Sequence, residues 1–532
     1  MQETTLPEQA ASLVKSWGDA RLANGRHLRD AFAIDGISLW DVIAPLMAVN
    51  YVPRALLLKG ITPPIYQSLW PYLSWGKTIL RKTAVKVNNS KLETINLPEE
   101  PYFLFLGFNE YMYRDVLQPI EETLNDKKDI HTVRLREFVG VSRTIPLEID
   151  RHLGVIDKTA TAFIASEEQR LRQKLRRAFN EIFKYGSLPK IIRTEEFSLW
   201  PQLRNDFKHL SLVLLPRLMR HFATAKNILS NNKPRLVVSP DVADPRTRIY
   251  CLLARQLQIP SLEVQFGLYD AENTEWQFFV ADQLAVWGKT SHGVMLDHGV
   301  PTNSIKITGS PRHDFMAISL NTSNTNQPQT SNTAVTLNRK LSILFASTYS
   351  RGTYDTINPV ALKSTKKAIF SVCTQANRNL IIKPHPAEDS QELEQFAAGM
   401  QRATIADSAG DIRQLIKECD CFITLGSTAT VDAIVARKLV IQPMFRPVAS
   451  CSDIFSKSGA ILVANSIEEF DQYLHEASIN SPEVMLDGLE PARQAFLLAW
   501  FFKVDGGSSK RVANLGLEMA GFQVVSDEPV SA

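Results

Sequence analysis

Short apolar runs that end in polar or small residues recur along the chain from residue 235 onward. Arg235–Pro240, Ser261–Gly267, Leu284–Gly288 and Ser304–Gly309 each have the length and apolar content of a buried strand. A helical pattern, Thr247–Leu257, separates the first two. The rhythm then repeats: strands are predicted at Leu341–Phe345, Asn379–Lys383, Cys421–Leu425 and Leu439–Ile441, with helices at Ala361–Gln375, Ile412–Glu418 and Val431–Arg437. Alternation at this spacing predicts parallel sheets with helical crossovers. Upstream, Tyr102–Phe108 reads as a strand bounded by Pro101. Phe163–Tyr185 reads as a charged helix in which Glu167, Glu168, Arg170, Arg172, Lys174, Arg176 and Arg177 interleave with apolar positions. Leu210–Leu229 reads as another helix, interrupted near Pro216.

Between the two alternating series, Asn321–Thr336 is Asn, Thr, Ser and Gln with almost no apolar content, which predicts a linker. The expected fold is therefore α/β, with two Rossmann-like domains. The expected boundaries are an N-terminal, mostly helical extension over 1–100, a first Rossmann-like domain over 101–320 and a linker over 321–338. A second Rossmann-like domain over 339–489 and a helical tail over 490–532 complete the chain. In the extension, Leu39–Leu46 and Pro53–Leu58 are helical stretches, and Pro63, Pro64 and Pro71 interrupt any helix beyond them. The tail either packs back on the first domain or ends as a plain helix on the second.

At 532 residues the chain is too long for one ordinary core. Lys plus Arg total 59 and Asp plus Glu 56, a net charge of +3, which does not point to nucleic acid. No apolar stretch approaches the roughly 18 residues that a membrane-spanning helix needs. The first 30 residues are mixed and charged, without a secretory apolar segment. A cytoplasmic protein is the expectation. Lys77–Lys86 and Arg217–His221 are locally basic, and each reads either as a contact for anionic lipid at the inner membrane face or as a solvated face. The five cysteines at 251, 373, 419, 421 and 451 form no disulfide framework, and Cys419-Asp420-Cys421 reads as buried beside a strand. No metal site is expected: the ten histidines include no His-Glu-x-x-His, and Asp297-His298 reads as a turn. There is no P-loop and no Gly-x-Gly-x-x-Gly.

Candidate chemistry sits where strands end, which is where open α/β sheets bind ligands. Leu380-Ile381-Ile382-Lys383-Pro384-His385-Pro386 ends in a basic and an imidazole side chain. Flanking prolines hold the His385 backbone extended. Phe422–Thr430 ends in Gly426-Ser427-Thr428-Ala429-Thr430, a glycine with hydroxyls ahead of a helix. Together these suit a phosphate: Lys383 as a point charge, His385 as a donor, and Ser427 or Thr428 with free helix N–H groups. The simpler reading of the second segment is a helix N-cap. Glu388 is placed to accept from ribose hydroxyls, and Asp432 sits on the same helix or serves as a first-turn charge. Ser310, Arg312 and Asp314 come after the last strand of the first series and are expected at a cleft or hinge, as phosphate contacts or as a turn salt bridge. A base is sought in the first domain: Asp241 first and Asp244 second, both explicable as caps ahead of Thr247, with Glu263 less favourably placed in mid-strand.

With these segments in view, the chain resembles the GT-B glycosyltransferases of bacterial surface polysaccharide biosynthesis. That group takes in capsule synthesis proteins, polysialyltransferases and teichoic-acid CDP-glycerol glycerophosphotransferases. More distantly the chain resembles the non-hydrolysing UDP-N-acetylglucosamine 2-epimerases. The resemblance rests on Lys383–Pro386, Gly426–Thr430, Thr308–Asp314 (their Gly-x-Pro-Arg-x-Asp turn) and Asp505–Val512 (their Asp-Gly-x-Ala/Ser segment), in that family's order over roughly residues 235–515. It implies a metal-independent, nucleotide-sugar-dependent glycosyltransferase of the cell envelope. The donor would be CMP-, CDP- or UDP-linked, and the acceptor a growing glycan or lipid-linked glycan. It also implies that His385 binds the nucleotide phosphates. The alternatives are a 2-epimerase-like enzyme, a polyol-phosphate transferase, or a non-catalytic glycan-assembly protein. Many relatives carry Gln-His-Gly where this chain has Gln265-Phe266-Gly267.

Overall fold

The structure is a computed structural model. It describes residues 5–58, 69, 71–74, 76, 97–125, 130–136, 138–141, 148–151, 158–184, 188–231, 233–241, 243–326, 340–348, 359–375, 377–385, 388, 390–408, 410–445 and 453–524. Lys77–Lys86, Cys451, Pro386 and most of the expected linker lie outside these residues.

The chain forms two compact units. One takes residues through Arg312 together with those from Ser508 onward; the other is His313–Gly507. Each is built on a six-stranded parallel sheet, the two Rossmann-like α/β halves that the alternating pattern predicts.

In the first unit the strands are β1 (Tyr102–Gly107), β2 (His131–Arg136), β3 (Leu236–Ser239), β4 (Ser261–Val264), β5 (Gln283–Val286) and β6 (Ile305–Ile307), ordered β6-β5-β4-β3-β1-β2. Every neighbouring pair is parallel. β1 is buried along its whole length, so it reads as an unbroken apolar run rather than an alternating one. The pleat still separates its faces. Tyr102, Leu104 and Leu106 join one core, together with Trp17, Trp40, Phe222 and Tyr250. Phe103 and Phe105 join another, with Val116, Ile120, Leu236 and Val238. Helix α1 (Leu6–Asp19), opened by a Thr5/Glu8 capping box, and helix α2 (Leu39–Leu46) belong to the first of these cores. The N-terminal segment is thus part of this unit's interior. The second core is completed by a C-terminal helix, Ser508–Met519, whose Val512, Ala513, Leu515 and Leu517 are buried in it. A methyl at Gly516 would stand 2.9 Å from Leu236, so only glycine allows that approach.

Two helices stand beside this core. Helix α3 spans Lys158–Lys184. The stretch from Trp200 to Asn231 is helical throughout, with no break at Pro216. A π-turn over Leu210–Leu214 lets the Leu215 N–H bond Leu210 O, five residues back. Pro216, which has no N–H to place, comes directly after it. Within that stretch His221 is buried and Arg220 pairs with Glu168 at 3.3 Å, so the basic segment Arg217–His221 is largely an internal, ion-paired helix face.

In the second unit the strands are β7 (Leu341–Ala346), β8 (Arg378–Lys383), β9 (Ala403–Ile405), β10 (Cys421–Thr424), β11 (Leu439–Pro443) and β12 (Leu462–Ala464), ordered β9-β8-β7-β10-β11-β12 and all parallel. Counted along the chain this is 3-2-1-4-5-6. Its core gathers Ile343, Phe345, Phe370, Ile382, Ile423, Ile441 and Phe470. Cys419 and Cys421 are free and buried, as expected. The polar stretch after Ile318 begins as helix: Pro311–Asn326 runs through residues 321–326, and the two units divide earlier, at Arg312/His313. The tail also divides. Pro482–Trp500 is a helix of the second unit, whereas Ser508–Met519 belongs to the first.

Candidate functional site

The strand order locates the candidate site in the second unit. In a 3-2-1-4-5-6 sheet the crossovers reverse between the first and fourth strands, and a crevice opens beyond their carboxyl ends. Here those strands are β7 and β10. β7 runs out into Ser347, and β10 into Leu425-Gly426-Ser427-Thr428. β8, the other neighbour of β7, runs out into Pro384-His385. With strands roughly 4.8 Å apart, the ends of β8 and β10 flank that of β7 across about 10 Å.

The Gly-Ser-Thr turn is built by Thr424, which is fully buried. Its Oγ1 accepts from the N–H groups of Gly426 (3.1 Å) and Ser427 (3.0 Å) and from the Thr430 hydroxyl (3.1 Å). Gly426 takes φ +102°, a conformation glycine reaches without strain. Those two N–H groups are therefore committed to the turn. Ser427 Oγ accepts from Ala429 N at 3.3 Å, while its own O–H is available to donate. Ser427 is half-buried and Thr428 exposed. What the turn offers a ligand is hydroxyls on a rigid frame rather than a nest of free amides. The helix behind it, Ala429–Val435, starts two residues earlier than the apolar pattern predicts.

The Lys-Pro-His-Pro segment is held by Glu388, whose side chain is 8% exposed. One carboxylate oxygen accepts from Lys366 Nζ at 2.5 Å and from Ser347 Oγ at 3.0 Å; the other accepts from the His385 N–H at 3.1 Å. The Glu388 N–H in turn donates to His385 O at 2.8 Å. Glu388 therefore ties the ends of β7 and β8 together and is not placed as a ribose acceptor. Lys383 is buried, and its ammonium donates to the carbonyls of Asp407 and Ser408, both at 2.7 Å. It fastens β8 to the loop after β9 instead of standing as an open point charge. His385 is exposed. Asp432 is fully buried, with its carboxylate 3.4 Å from His313 Nε2; the His313 ring meets Phe501 edge-on at 5.2 Å. Asp314 is likewise buried in this unit.

The first sheet counts 2-1-3-4-5-6 along the chain, so its reversal falls between β1 and β3. Asp241 lies just past β3. Its Oδ1 accepts from Ala243 N at 2.9 Å, and burial raises its pKa. Asp244 caps the helix Pro245–Gln256, accepting from Arg246 N at 2.7 Å. The Arg246 guanidinium also grips both its oxygens, at 2.5 to 3.1 Å. Burial and the nearby Asp241 charge push Asp244 up to about 7. The Arg246 fork opposes that shift, and its geometry makes Asp244 a structural cap. Asp241 is then the freer carboxylate.

Glu263 is buried in mid-strand, accepts from the Ser239 hydroxyl at 2.5 Å and is pushed well up by burial. Glu275 is pushed up to about 7 by burial. Arg312 is buried, 3.1 Å from Asp115, and lies 5.6 Å from the centre of the Phe266 ring. Tyr111 meets that same ring at 5.3 Å. Phe266 thus belongs to an aromatic pair beside a cation. Ser310 is buried beside Gly309, and Arg511 Nε donates to Thr308 O at 2.7 Å, so the Thr308–Arg312 and Ser508–Arg511 motifs meet within this unit.

Sequence reasoning missed Thr424, Ser347, Lys366 and Glu275. Thr424 and Ser347 had a signal, as hydroxyls at the carboxyl ends of apolar runs. Lys366 and Glu275, in a helix and a short turn, had none. Among the described residues no group of His, Cys, Asp and Glu gathers as metal ligands. No described helix is long and apolar enough to cross a membrane. A cavity of about 850 Å3 opens beside Pro101, Arg235 and Pro260, at the amino ends of the strands and away from this chemistry.

No family model matches the chain, and no curated protein does. Solved structures do align with it. MnaA of S. aureus, solved with UDP, is 14% identical over 80% of this chain and 98% of that one, with a TM-score of 0.45. The UDP-GlcNAc 2-epimerase of Neisseria meningitidis is 12% identical over 79% and 100%, with a TM-score of 0.46. The wall teichoic acid polymerase TagF is 11% identical over 85% and 98%, with a TM-score of 0.46. At such identities a similarity of chain path says nothing of the reaction.

Proposed function

We propose that this chain is an enzyme acting on a nucleotide-activated sugar, with the second unit receiving the donor's phosphates. The observation that carries this is the strand reversal of a 3-2-1-4-5-6 sheet, with Ser427 and Thr428 after a strand that flanks it, His385 after the strand next to the other, and the Thr424 and Glu388 frames behind them. Hydroxyls and an imidazole held on rigid turns stabilise charge that builds on a departing phosphate. No metal ion is called for in this reading.

The reaction we favour is transfer of the sugar to a growing surface glycan or glycolipid. Asp241 would act as the base that takes the acceptor hydroxyl's proton, since burial raises its pKa and so strengthens it as a base. Rearrangement of the donor itself, as in a 2-epimerase, needs no acceptor. Phe266 leaves no imidazole at the end of its strand, which weakens an acid–base role there in either reaction. Incubation of UDP-, CDP- and CMP-sugars with and without a glycan acceptor separates the two. Acceptor-dependent release of nucleotide supports transfer; an epimer formed without acceptor establishes the second reading. Failure of every nucleotide to bind rules out both.

A further inference from the structure

The first unit carries an amphiphilic surface that the proposed reaction does not use. Helix α3 presents Arg172, Arg176, Phe179, Asn180 and Phe183 along one face, at the three- and four-residue spacing that aligns side chains. Across from them stand Ser211, Leu212 and Pro216. Together these line a groove of about 320 Å3 whose apolar side also includes Leu175. Ser211 and Leu212 lie within the π-turn, a backbone irregularity that widens the helix at this point.

The groove is neither purely apolar nor purely charged. Phe183 is 43% exposed beside it, and Arg176 and Asn180 are exposed as well. Arg172 is paired with Glu168 at 2.7 Å, whereas no described carboxylate pairs with Arg176. One turn earlier in the Trp200–Asn231 stretch, Lys208 Nζ lies 5.8 Å from the centre of the Tyr72 ring, and His209 Nε2 is 3.4 Å from Ser74 Oγ. Around that point Leu69, Tyr72 and Leu73 are 55%, 51% and 63% exposed. Large apolar side chains left in water beside cations mark a surface that meets an anionic, apolar partner.

We infer that this face, from Phe183 and Arg176 through the π-turn to Lys208 and Tyr72, docks on a bilayer of acidic phospholipid. The cations would face the lipid phosphates, and Phe183, Tyr72 and Leu73 would enter the acyl boundary. Charge complementarity selects this occupant. A neutral apolar peptide would leave Arg176 and Lys208 unmatched, and a free anion would leave the rings in water. The inference does not depend on the reaction proposed above.

Co-sedimentation of the full chain with vesicles tests it. The wild type is expected to bind vesicles containing about 30% phosphatidylglycerol, to bind phosphatidylcholine vesicles much less, and to be released by salt. Arg176→Glu is expected to lower the partition coefficient about thirty-fold, roughly five-fold for each unit of charge removed from the surface. Phe183→Asp should lower it about ten-fold or more. Phe163→Asp changes a residue that is 47% exposed on the far side of the same helix, and it should leave binding unchanged. Thermal unfolding of each variant at the wild-type temperature shows that the fold is intact. Equal binding to both kinds of vesicle, no binding by the wild type, or equal losses from Phe183→Asp and Phe163→Asp would each overturn the inference.

Discussion

The second sheet ends in hydroxyls, an exposed imidazole and a carboxylate neutralised by a buried lysine. The first carries carboxylates and an edge-on pair of aromatic rings. Both sheets are parallel, six-stranded and reverse once, so the difference does not come from architecture. It comes from which side chains the strands and the loops after them carry. In the second unit Glu388 has Lys366 as its partner, and Lys383 has two carbonyls. In the first unit burial outweighs pairing at Asp241, Glu263 and Glu275, and their pKa values rise. One end is built to hold a fixed charge distribution, the other to favour the protonated form of its carboxyl groups.

The largest effect that would break this contrast is at Glu388. Replacing it by alanine strands the Lys366 ammonium, 8% exposed, without its partner. Removing one member of a buried pair costs about 3–5 kcal/mol, so denaturant unfolding should show a loss of that size. A loss below about 1 kcal/mol would mean the second sheet's charges are not held as described.

Next is the pH dependence of the first unit. Folded Glu275 is pushed from 4.5 to about 7, so the folded state keeps a proton that the unfolded state releases. That contribution is complete below pH 4.5 and is lost as the pH rises through 7, amounting to about 3 kcal/mol. Glu275→Gln should flatten the fall in stability over this window, measured by urea midpoints at a series of pH values. An unchanged slope would remove Glu275 from the groups whose protonated form the fold favours.

His385→Ala is expected to leave stability unchanged and to weaken nucleotide binding by about 1.5–3 kcal/mol if the ring donates while charged. Calorimetric titration with UDP, CDP and CMP reads this directly, and equal affinity for all three in both proteins would take His385 out of the site. Thr424→Val is nearly isosteric but strips the acceptor from two N–H groups. A stability loss of roughly 1–3 kcal/mol is expected, with a parallel loss of nucleotide affinity. Retained affinity would show that the turn's shape does not depend on that hydroxyl.

The sheets themselves were legible because buried parallel strands leave unbroken apolar runs such as Leu236–Val238 and Ile381–Ile382. Strands with shorter or weaker runs, His131–Arg136, Ala403–Ile405 and Leu462–Ala464, were not. Which side chains stand at the strand ends was legible too, because each apolar run closes on them. Roles were less so. Lys383 and Glu388 look like free ligand groups in a linear reading, and only the fold shows that carbonyls at 407 and 408 and the ammonium at 366 claim them. The expected break at Pro216 failed for a local reason, since the π-turn just before it removes the need for the missing N–H. The polar run from Asn321 continues as helix because Pro311 opens a helix that has not yet ended.

The C-terminal helix Ser508–Met519 has a bearing on how the protein is made. Its Val512, Ala513, Leu515 and Leu517 complete a core whose other buried members lie upstream of Arg312, and the whole second unit is encoded between them. The second unit is contiguous and can close on its own as the ribosome delivers it. The first must wait with Phe103, Leu236 and Leu262 uncovered until the last of its residues arrive. During synthesis the earlier half of the chain is therefore the later to mature, and it is the half that needs shielding from aggregation.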